Sequence, residues 1–123
     1  MNFKLVTVGD KEYKFRITNK SQIEIEKKIG PLLSALERAT EGTVMATIVW
    51  GALIPLNHDV TLDKANDIID EMVDEGIINS TEKRIDFITD ILKDSGFFSQ
   101  EDIEGMRKAT EAKKKEVMQN IEA

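Results

Sequence analysis

Apolar and polar residues alternate at the start of the chain: Phe3, Leu5, Val6 and Val8, then Gly9-Asp10-Lys11, then Tyr13, Phe15 and Ile17. A period of two on either side of a glycine-bearing turn predicts two antiparallel strands forming a β-hairpin. Two strands alone are marginal in water, so the apolar face of the hairpin is expected to pack on helices later in the chain. The period then lengthens. Ser21 with Glu24 three residues on has the form of a capping box, and Asn19 is also a good cap, so a helix is predicted to begin near Ser21 with Ile25 and Ile29 on one face. Gly30-Pro31 breaks the chain and restarts it, because proline suits a first helical turn, and Leu32, Leu33 and Leu36 supply the apolar face of the next helix.

From Thr43 the sequence TVMATIVWGALI is apolar nearly all round, the pattern of a helix enclosed by its neighbours. The run Val44 to Leu56 is shorter than the roughly 20 residues of a membrane span and contains Gly51 and Pro55, so it reads as a central core helix. Pro55, Asn57, His58 and Asp59 end it in a loop. Thr61 caps the next helix, where Leu62, Ala65, Ile68, Ile69, Met72 and Val73 share a face until Gly76. Ser80 or Thr81 opens another, with Ile85, Ile88, Ile91 and Leu92 on one side and Ser95-Gly96 as its stop. After Phe97-Phe98, Ser99 can cap a last helix with Glu101 and Asp102 in its first turn. Its apolar stripe of Ile103, Met106, Val117 and Ile121 is thin, weakened by Gly105 and interrupted by Lys113 and Lys114. The expected fold is therefore mainly α, a small N-terminal β-hairpin followed by a bundle of five to six helices. Residues 1–98 form the globular domain, and 99–123 form a C-terminal helix that is partly detached or completed by a partner.

At 123 residues the chain suffices for one core. With no cysteine it has neither a disulfide framework nor a thiolate for metal or nucleophilic chemistry, which fits a reducing cytosol. The first residues lack the basic, apolar and small-residue succession of a signal peptide, so export is not expected. The net charge of −6 is concentrated: residues 59–76 hold seven carboxylates against Lys64 alone, and the rest of the chain is neutral in sum. An acidic chain without a basic, aromatic-studded patch repels a phosphate backbone, so nucleic acid is not an expected partner; nor is a membrane, because the most apolar run is too short to span one.

Within that acidic segment Asp63, Asp67, Asp70 and Asp74 are spaced by four, three and four, which makes them a ridge opposite the apolar face of their helix. Carboxylates so arranged can attract divalent cations, but such sites draw ligands from several segments or a glycine-turned loop, and neither is present here. A solvated face, or an electrostatic docking surface for a basic partner, fits better. His58, the single histidine, has no nucleophile and acid to complete a triad and reads as a loop residue. The scattered glycines form no phosphate-binding loop, so no catalytic group, cofactor or metal is expected. Trp50 reads as core. Phe97 and Phe98, adjacent after a helix-stopping glycine, cannot both turn inward easily; one can close the core while the other stays partly exposed.

Taken in order, the hairpin, QIEIEKKIG at 22–30, IVWGAL at 48–53, TLDKANDIIDEMVDEG at 61–76 and ITDILKDSGFF at 88–98 resemble the tail assembly chaperones of long-tailed, siphovirus-like bacteriophages. The resemblance spans most of residues 3–98 and rests on order and spacing, since no stretch is an active-site signature. It implies a non-enzymatic protein of the infected or lysogenic bacterium's cytoplasm. Such a protein transiently binds the tape measure protein, a long helical chain with exposed apolar surface, until tail tube protein subunits assemble around it. A homo-oligomer is compatible with that role. Family members often have a longer product made by ribosomal frameshifting, for which Lys113-Lys114-Lys115 would be a suitable place; the bland reading of that run is a solvated patch. The contacts expected for the partner are Phe97, Phe98, Ile103, Met106, Val117 and Ile121 along the under-filled stripe, with Asp63, Asp67, Asp70 and Asp74 on the acidic ridge. The competing readings are a head–tail connector or minor virion protein, and a small bacterial adaptor or regulatory domain.

Overall fold

A computed structural model describes residues 2–96 together with Glu101, Asp102, Glu104, Gly105 and Lys108, which are helical. The protein is mainly α with a small N-terminal hairpin. Strand β1 (Lys4–Val8) pairs antiparallel with β2 (Lys11–Phe15) across Gly9-Asp10. Gly9 has φ +64, and its missing Cβ permits this left-handed start to a two-residue turn whose twist matches the strands. Val6, Val8, Tyr13 and Phe15 turn inward. Leu5 lies one position out of step with Val6, so strand parity sends it to the outer face, where it is 50% exposed.

Helix α1 (Asn19–Ile29) begins earlier than the sequence pattern predicts. Its cap is Thr18, not Asn19 or Ser21, and the box closes between Thr18 and Ser21 rather than between Ser21 and Glu24. The Thr18 hydroxyl accepts the Ser21 N–H at 3.1 Å while the buried Ser21 hydroxyl accepts the Thr18 N–H at 2.8 Å. A short hydroxyl closes the box as well as a glutamate does when Ile17, at the preceding position, is fully buried and holds the chain close. In α2 (Leu32–Leu36) Leu32 and Leu36 are buried, but Leu33 is 55% exposed. The expected three-leucine face fails there because one turn and a half of helix buries positions four apart and turns the neighbour outward.

Helix α3 (Gly42–Leu53) is the centre of the molecule, buried on nearly every side and packed against α1, β2, α4 and α5. Its approach to α1 is close enough that a Cβ at Gly51 would clash with Cγ1 and Cδ1 of Ile25, so a larger residue fits that crossing only if the buried Ile25 side chain shifts. Helix α4 (Leu62–Asp74) starts at the expected cap, the Thr61 hydroxyl accepting the Lys64 N–H, and buries Ala65, Ile68 and Met72. Helix α5 (Thr81–Ser95) is capped by Ser80 and ends at Gly96, φ +73. It seals the hairpin from below: Phe87 meets Phe15 edge-on, centroids 5.1 Å apart, and the buried Ser95 hydroxyl accepts the Ile17 N–H at 2.8 Å. Among the described residues no helix is long and apolar enough to cross a membrane.

Candidate partner-binding surfaces

The helical period that buries Ala65, Ile68 and Met72 carries Asp63, Asp67, Asp70 and Asp74 to the opposite side of α4, and all four are exposed. None makes a hydrogen bond or ion pair with a described residue. Asp63 lies in the first turn, where the helix dipole favours it; Asp74 lies in the last turn, where the dipole opposes it and no basic residue compensates. Successive carboxylates at this spacing also repel one another by about 0.2–0.5 kcal/mol per pair. The ridge is therefore a modest local cost to α4 rather than part of what folds it. No group of three or more His, Asp or Glu side chains among the described residues is arranged to hold a metal ion. His58 is exposed in the loop after α3.

Trp50 is half-buried against the core, with the Lys28 ammonium 5.2 Å from its ring centroid, so it lies at the margin of the core rather than within it. Phe97, Phe98, Ile103, Met106, Val117 and Ile121, the expected apolar contacts, lie outside the described residues, as does Lys113-Lys114-Lys115. The apolar side chains that are exposed elsewhere are Phe3, Leu5, Ile23 and Leu33.

A second surface is invisible to helix periodicity. The two-residue turn requires Val8 and Lys11 to be the hydrogen-bonded pair that closes the hairpin, so the N–H and C=O groups of Lys4, Val6 and Val8 face β2. Those of Leu5 and Thr7 then face away, as does the N–H of Gly9. Gly9 verifies this register, because its N–H is taken from outside the sheet by the Glu75 carboxylate, both oxygens at 2.9 Å. Along the outer side of β2 the groups of Lys14 are occupied, Asn57 Nδ2 donating to its carbonyl at 2.7 Å and Asn57 Oδ1 accepting its N–H at 3.4 Å, and just past the strand the Arg16 N–H donates to the Ala52 carbonyl at 2.9 Å; those of Glu12, which faces Thr7 in register, have no such partner among the described residues. Leu5 and Thr7 have no such partner among the described residues. Beside them an open cleft of about 440 Å³ runs between β1 and α5. Sequence periodicity gives no sign of Glu75, Asn57, Ser95 or this cleft, since each joins segments more than forty residues apart.

Compared with known proteins, the chain matches no family model, no curated protein and no solved structure.

Proposed function

We propose that this protein is a phage tail assembly chaperone that transiently holds the tape measure protein and helps recruit tail tube subunits. The observation that carries the reading is the α4 ridge: four exposed carboxylates that pair with no described residue and burden the helix bearing them. A surface that costs folding energy fits electrostatic steering of a basic partner better than it fits stabilisation of the fold. The stretches that carry the resemblance fall on the hairpin, α1, α3, α4 and α5. A holding role requires release, and surface charge serves this well because it speeds encounter and is screened by salt.

Co-expression with the long open reading frames flanking the gene tests the reading. One of their products should be soluble only with this chain, and replacing Asp63, Asp67, Asp70 and Asp74 together by Lys should abolish the rescue while leaving the helical content unchanged. Rescue that survives the charge reversal would remove the ridge from the mechanism, and no rescue of any neighbour would remove the chaperone role. Mass spectrometry of purified particles separates a chaperone, which is shed, from a connector or minor virion protein, which remains.

A further inference from the structure

We draw no further inference here: the strongest candidate, the cleft between β1 and α5 beside the outward backbone groups of Leu5 and Thr7, is lined by two lysines and two aspartates with Lys4 bonded to Asp90 and lying over the Phe87 ring, and nothing in the structure shows what covers it.

Discussion

The two edges of the hairpin begin from the same chemistry and end differently. Both strands have five residues, both are amphipathic, and both turn alternate backbone groups away from the partner strand. On β2 the outward groups of Lys14 are taken by Asn57, in the loop after α3, and just past the strand the Arg16 N–H is taken by the Ala52 carbonyl of α3, while Glu12 has no such partner among the described residues. On β1 those of Leu5 and Thr7 face a cleft. The contrast shows that the hairpin is held by its inner face and by the Lys14 end of β2, while the Leu5 and Thr7 groups have no such partner among the described residues. A two-stranded sheet tolerates an open side because Phe15, Ile17 and Tyr13 are sunk into the helices.

The most severe way to break the comparison is to remove what lies beneath both strands. Phe87 is 4% exposed, meets Phe15 edge-on and lines the cleft. Phe87→Ala should cost about 3–4 kcal/mol through lost transfer and the cavity left behind. Urea unfolding should show this as a lower midpoint with an unchanged slope, and a loss under about 1 kcal/mol would mean that α5 does not support the hairpin.

Ser95→Ala is milder and more local. The Ser95 hydroxyl accepts the Ile17 N–H where β2 leaves the sheet and donates to the Ile91 carbonyl. Alanine leaves a buried donor unsatisfied, which costs about 1–3 kcal/mol, whereas Ser95→Thr should retain most of the stability if its methyl is accommodated. The midpoints of the two variants, compared by thermal melting, separate hydrogen bonding from packing.

How much of this is legible in the sequence depends on whether the deciding interaction is local. The caps Thr61 and Ser80, the buried faces of α4 and α5 and the all-round burial of α3 arise from residues within a turn or two, and periodicity finds them. The acidic ridge comes from the same period. Leu5 and Leu33 depart from the pattern because a count of apolar residues is not a count of buried ones; strand parity puts Leu5 outside, and the brevity of α2 puts Leu33 outside. Asn57 and Glu75 have no local signal. Asn57 reads as a turn residue and Glu75 as one more acid, and only the fold shows that one closes β2 and the other the Gly9 turn.

Asn57→Ala should uncover the outward groups of Lys14 on β2. It removes the two donations, to the Lys14 and Leu53 carbonyls, and the acceptance from the Lys14 N–H. Because Asn57 is half-buried, water replaces part of this, and the loss should be about 1 kcal/mol. The sharper readout is exchange at the Lys14 amide, which should accelerate while that of Tyr13, paired to Val6, does not. If both accelerate together, Asn57 holds the strand pair rather than its edge.

The smallest effect belongs to the carboxylate that marks where the open edge begins. Glu75 stands just past the last turn of α4 and accepts the Gly9 N–H with both oxygens, yet it is exposed, so its hydrogen bond competes with water. Glu75→Gln keeps one carbonyl acceptor and should cost no more than about 0.5 kcal/mol; Glu75→Ala removes the acceptor and should cost slightly more. Stability is a blunt measure of either. Exchange at Gly9 is the telling one, because Glu75→Ala should bring this amide to the fast rate expected of Leu5 and Thr7, extending the open edge by one donor. A Gly9 amide that stayed slow in Glu75→Ala would show that something other than Glu75 closes the turn. The boundary between covered and open backbone would then lie elsewhere on β1.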